Sequence, residues 1–169
     1  MHHHETASQN RFMQYWPLLA LIIYSFIGSL ALSHQRDGDF TNTMHAFMGI
    51  FLFVFSLLKV FDLKQFADGF QKYDLIGKKF RSYCLVYPFL ELLLALLYLS
   101  EFALTFTYIF TILLMGVSAL GVIDAMRRKM SLLCACMGTV LKVPLSTVTL
   151  TEDITMGLMA AVMLAMTFT

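Results

Sequence analysis

Proline, cysteine and tryptophan are scarce in this 169-residue chain, at three, three and one residues. So few prolines leave long stretches without a helix breaker. Three cysteines are an odd number, which excludes a fully paired disulfide framework. Charge is thin as well: Lys, Arg, Asp and Glu make up 14% of the chain, against about a quarter in soluble domains. No basic stripe interleaved with aromatics occurs, so nucleic acid is not an expected partner. No haem, flavin, nucleotide or quinone motif is present, and no cofactor is identified from motifs.

What is abundant is apolar. Hydrophobic residues reach 59%, with 16 Phe and 12 Met, and the mean hydropathy is +0.73. A soluble chain of this length cannot bury so much apolar surface. Five apolar stretches, Tyr15–Leu32, Met44–Phe61, Tyr83–Leu99, Phe102–Ile123 and Ile154–Phe168, approach the ~20 residues needed to cross ~30 Å of hydrocarbon. The last is the shortest. The first lacks a strongly basic flank and a cleavage site, so it is read as a retained helix rather than a signal peptide. Backbone groups in lipid must bond within their own segment, so these stretches are helices. The expected fold class is an all-α membrane protein: a four-helix transmembrane bundle, 44–169, plus one N-terminal transmembrane helix, 15–32. A polar segment, 1–14, precedes them. Its His2, His3 and His4 are read either as a tag remnant or as part of a metal-binding linker.

Charge placement predicts orientation. With five spans, eleven of the twelve Lys and Arg residues fall on one side, and Arg36 alone on the other. By the positive-inside rule the basic side is cytoplasmic, giving a multi-pass protein of a bacterial-type inner membrane with its N-terminus inside and C-terminus outside. The lipid bilayer is the first expected partner.

Three groups of residues stand out as candidates. Cys134 and Cys136, in Cys134-Ala135-Cys136-Met137-Gly138, point the same way if the backbone is locally extended. Such a pair forms a strained, reducible disulfide or ligates one soft ion, and the nearby Arg127, Arg128, Lys129 and Lys142 favour its thiolate form. Glu91 lies in the middle of an apolar stretch, where a carboxylate is costly and faces the bundle interior. Cys84, Tyr87, Glu91 and Tyr98 share one helical stripe, and Pro88 frees a carbonyl beside it. Glu91 is read either as a structural hydrogen-bonder between helices or as a proton or metal relay, and Cys84 as a packing residue. Finally, Phe55, Lys59, Asp62 and Phe66 recur at helical spacing. They predict a helix leaving the core along the cytoplasmic interface, with Lys59 and Asp62 paired at i, i+3. Asp124 either joins that ionic group or faces water. The hydroxyls and acids of Ser146, Thr147, Thr149, Thr151, Glu152 and Asp153 suit the N-terminal cap of the last helix.

The stretch Phe53–Lys59 with Asp62-Leu63, Phe66 and Tyr73, then Tyr87-Pro88-Phe89-Leu90-Glu91-Leu92, then Cys134-Ala135-Cys136-Met137-Gly138 resembles the MauE/DoxX-like redox-associated membrane proteins. The resemblance spans 44–169, with three motifs in order. It implies a four-helix core preceded by the extra helix. It also implies a role like that of MauE proteins in methylamine utilisation, in maturation of the disulfide-rich small subunit of methylamine dehydrogenase. The histidines and the Cys-Ala-Cys-Met-Gly form resemble most a variant set in a heavy-metal context.

Two functions follow as expectations. The leading one is a redox-associated maturation factor with thiol–disulfide oxidoreductase-like activity, Cys134 and Cys136 being the exchanging pair and the partner a redox protein. The alternative is a heavy-metal carrier in which the same thiols ligate Cu or Hg for a metal-handling partner, with Glu91 and Cys84 along the path. A scaffold without chemistry is the third reading.

Overall fold

A computed structural model describes residues 5–35, 39–128 and 145–168. The described residues form helices and connections with no strand. The helices run α1 (Glu5–His34), α2 (Phe40–Phe61), α3 (Leu63–Phe70), α4 (Arg81–Ser100), α5 (Leu104–Arg127) and α6 (Leu145–Thr167). Four segments are long and apolar enough to cross a membrane: Phe40–Phe61, Arg81–Ser100, Leu104–Arg127 and Thr149–Thr167. In α1 the apolar part, Leu19–His34, is shorter. The expected all-α membrane bundle, with an added N-terminal helix, is the observed architecture.

Burial is distributed as lipid demands. Leu93, Leu96, Leu113, Leu120, Leu158 and Val162 are exposed, whereas Lys59, Glu91, Thr111, Ser118, Glu152 and Asp153 are buried. Hydrocarbon outside the bundle gains nothing from hiding leucine, while polar groups must find partners within. Helix α2 packs on α4 and α5 on α6, with α1 laid against α2. The α1 seam is made of Ser25, Ser29 and Ser33, one turn apart, and the Ser33 and Thr43 hydroxyls meet at 2.6 Å. Small hydroxyl residues let two backbones approach and bond across the gap.

Between α2 and α4 the chain departs from the expectation of an interfacial extension. Helix α2 stops at Phe61, and Asp62 caps a separate short helix by accepting from the Gln65 amide at 3.2 Å. Phe66, Phe70 and Tyr73 are 1% exposed. They turn inward, with the Phe70 ring centroid 4.5 Å from that of Tyr87 on α4 and the rings tilted by 40°. The apolar face of α3 is therefore spent on protein rather than lipid. The following loop is pinned by Asp74, whose Oδ1 accepts from Ile76 and Gly77 amides at 2.9 and 2.6 Å, and by a close approach to α5. A Cβ placed on Gly121 would lie 2.9 Å from the Tyr73 carbonyl oxygen and 3.0 Å from the Asp74 Cα. At the opposite end, Glu101 and Ala103 take left-handed backbone angles, φ 55° and 49°, to turn α4 into α5 within three residues.

Two outcomes are expected. Gly121→Ala should lower stability by ~1–3 kcal/mol through overpacking. Gly116→Ala, on the same helix with nothing within 4 Å, should be neutral or gain up to ~1 kcal/mol of helix propensity. Unfolding of both variants in detergent micelles makes the comparison. Burial raises the Asp74 carboxyl above its ordinary 3.8, so the folded chain holds a proton that the unfolded chain has already lost. The stability linked to it is present below 3.8 and is lost as pH rises through the raised value. Asp74→Asn, which keeps the Oδ1 acceptor, should flatten that part of the melting temperature against pH.

Candidate functional site

The bundle interior holds a buried ionic centre built on Lys59. Its ammonium lies two residues from the end of α2 and donates to both Glu91 carboxylate oxygens, at 2.5 and 2.7 Å, and to Glu152 Oε1 at 3.1 Å. All three side chains are at most 2% exposed. Aromatic faces complete the enclosure, with the Nζ 5.6 Å from the Tyr87 ring centroid and 5.9 Å from that of Phe66. A buried ammonium is tolerated when its protons are used, and here three elements supply the acceptors and π-faces.

Each element delivers its residue by helical spacing. On α4, Cys84, Tyr87, Glu91 and Tyr98 are all buried along one face, and Pro88 lies within the same helix. On α6, Glu152 and Asp153 sit inside the helix and are buried. Ser118 of α5 stands beside Asp153 and Tyr87. Among the described residues Glu152 Oε2 has no hydrogen-bond partner.

Two carboxylates thus hold one ammonium, and a third buried acid, Asp153, lies near enough to feel its charge. Ionisation of Glu91, Glu152 and Asp153 together would leave two more negative charges than the ammonium offsets among buried side chains, which is costly. Chemically the centre is a buried ion pair, one ammonium held between two carboxylates.

A second polar group lies toward the other end of the bundle. His45 Nε2 and the Tyr108 hydroxyl form a short hydrogen bond, and the Tyr98 and Thr111 hydroxyls meet at 2.9 Å. His45 precedes Lys59 by fourteen positions on α2, ~21 Å of helix rise.

The positions anticipated from sequence fare differently. Lys59 and Glu91 are brought into direct contact. Asp62 is not part of the centre: the expected Lys59–Asp62 pair is absent, because the ammonium turns inward and Asp62 caps α3. Asp124 stays outside, bonded to Lys78 at 3.3 Å and Arg128 at 3.1 Å. Cys84 is fully buried; its thiol lies 3.9 Å from the Phe80 carbonyl and fills the space a Gly77 Cβ would take. Cys134 and Cys136, and with them their thiol and soft-metal roles, lie outside the described residues, as do His2, His3 and His4. Among the described residues no group of three His, Cys, Asp or Glu side chains could hold a metal.

Sequence reasoning missed Glu152 and Asp153 as members of the centre. They carry the signature of caps because the apolar run begins at Ile154, whereas α6 begins at Leu145. His45 also went unnoticed. Its signal was a lone imidazole within an apolar run.

A bundle of apolar helices closed around an ionic interior defines a polytopic membrane protein. The family model for methylamine utilisation protein MauE matches residues 37–166, and the chain belongs to that family. No curated protein and no solved structure matches it.

Lys59→Met should destabilise the bundle by ~3–5 kcal/mol by leaving buried acids without their cation. The triple variant Lys59→Met/Glu91→Gln/Glu152→Gln should recover most of that loss. Unfolding by sodium dodecyl sulfate titration in mixed micelles measures both.

Proposed function

We propose that this MauE-family protein is a redox-associated maturation factor of the inner membrane, exchanging thiols and disulfides with a disulfide-rich partner through Cys134 and Cys136. The observation that supports the reading beyond the family is the buried ionic centre at Lys59, Glu91 and Glu152. Helix α5 ends and α6 begins at the end of the bundle nearest that centre, and the two cysteines lie between them in sequence. Exchange begins when one thiolate attacks a partner disulfide and forms a mixed disulfide. The second cysteine then displaces the partner, whose two sulfurs take up the two protons that the Cys134 and Cys136 thiols release. The reverse sequence installs a disulfide in the partner. In either direction protons leave one set of thiols before the other receives them, and buried carboxyls such as Glu91 and Glu152 are suited to hold them meanwhile.

Charge favours a second reading. On the orientation argued above, with Lys59 removed from the tally because it is buried, ten of the twelve basic residues still lie on the Cys134 side. That side is then cytoplasmic, where thiols stay reduced, and a reduced pair is a ligand for a soft ion such as Cu(I) or Hg(II).

Alkylation of intact and permeabilised cells locates the pair, and the Cys134→Ser/Cys136→Ser variant separates the readings. Loss of partner disulfides with unchanged metal binding is the result expected. Loss of stoichiometric Cu(I) binding with partner disulfides intact would replace the redox reading with the metal one.

A further inference from the structure

The connection between α3 and α4 is tightly bonded and carries two kinds of side chain. It follows the buried pair Tyr73 and Asp74. Besides the Asp74 carboxylate on the Ile76 and Gly77 amides, its own backbone closes it. The Lys78 amide donates to the Asp74 carbonyl at 3.1 Å, and those of Lys79 and Phe80 to the Ile76 carbonyl at 3.0 Å. On this frame Leu75, Ile76 and Phe80 are left 46%, 39% and 57% exposed. Arg81 then opens a helix long and apolar enough to cross a membrane, so the turn lies at the edge of the hydrocarbon.

The cations beside these residues are not equivalent. Lys78 is bonded to Asp124 at 3.3 Å and Arg81 to Asp68 at 2.6 Å. Lys72 and Lys79, at either end of the turn, are exposed, and neither pairs with a carboxylate among the described residues. The Lys79 Nζ lies instead 5.7 Å from the Phe80 ring centroid. Two ammonium groups are therefore unneutralised next to three exposed apolar side chains.

That combination selects the partner. At a membrane boundary, apolar side chains enter the acyl region while lysines extend to the phosphates. A zwitterionic surface offers the two ammonium groups no net charge. An anionic one does, at about fivefold in affinity for each lysine near it. We infer that the turn between α3 and α4 is a docking surface for anionic phospholipid. Leu75, Ile76 and Phe80 enter the acyl region, and Lys72 and Lys79 meet the headgroups. The surface is independent of the cysteine pair and of the Lys59 centre.

The full chain in dodecyl maltoside micelles is titrated with dioctanoyl phosphatidylglycerol and, separately, with dioctanoyl phosphatidylcholine, and bound lipid is counted by native mass spectrometry. The anionic lipid should bind at least tenfold more tightly, with a preference that falls as salt rises. Lys72→Gln/Lys79→Gln should reduce that preference to less than threefold, while Lys64→Gln, at an exposed lysine of α3, should leave it unchanged. Phe80 is the N-cap of α4, and serine is a good cap, so Phe80→Ser should fold and bind both lipids at least threefold more weakly. A hundredfold excess of inorganic phosphate should displace neither lipid. Equal affinity for the two lipids, an unchanged preference in the double lysine variant, an equal loss in Lys64→Gln, undiminished binding in Phe80→Ser, or displacement by phosphate would each overturn the proposal.

Discussion

Lys59 carries its ammonium into the bundle between Glu91 and Glu152, and much of the packing follows from keeping it there. An ammonium in a hydrocarbon surround needs acceptors from several directions. Glu91 supplies two oxygens from α4 and Glu152 one from α6, so a single cation ties the α2–α4 pair to the α5–α6 pair. Phe66 extends the enclosure from α3, which would have no reason to fold beneath α4 were its aromatic face not needed there. Removing a buried ion pair whole is often cheap, whereas removing half of it is not. The centre is for that reason a specifying device for the helix arrangement as much as a chemical one.

Much of the architecture was legible in the sequence because lipid makes hydrophobicity a direct ruler of span length. Tyr83–Leu99 falls within α4, Phe102–Ile123 starts two residues before α5 and otherwise lies within it, and the end of α2 falls at Phe61 as the apolar run predicts. What could not be read was the fate of residues beyond an apolar run. The Phe66, Phe70 and Tyr73 stripe carries the same periodicity whether it faces lipid or protein. Only the tertiary contact with Tyr87 decides. The same ambiguity shortened the last helix, since Thr149, Glu152 and Asp153 are good cap residues in isolation and are interior residues in the fold.

The site was partly legible for a related reason. Glu91 is unmistakable because nothing polar surrounds it in sequence, and its stripe with Tyr87 and Tyr98 is buried as helical geometry requires. Lys59 gave a weaker signal. A lysine near a helix end usually extends toward water, and Asp62, three residues on, offered a local partner that the fold uses as a cap instead. Partners separated by 32 and 93 residues leave no mark in local spacing.

Those separations also order the events of synthesis. The chain emerges from its N-terminus, so Lys59 meets Glu91 after 32 further residues and Glu152 only after 93. The first two acceptor oxygens are therefore at hand while the last helix is still to be made. The nascent membrane chain is never required to shelter that ammonium alone for more than one returning span, and α6 arrives as the piece that locks an already neutralised pair.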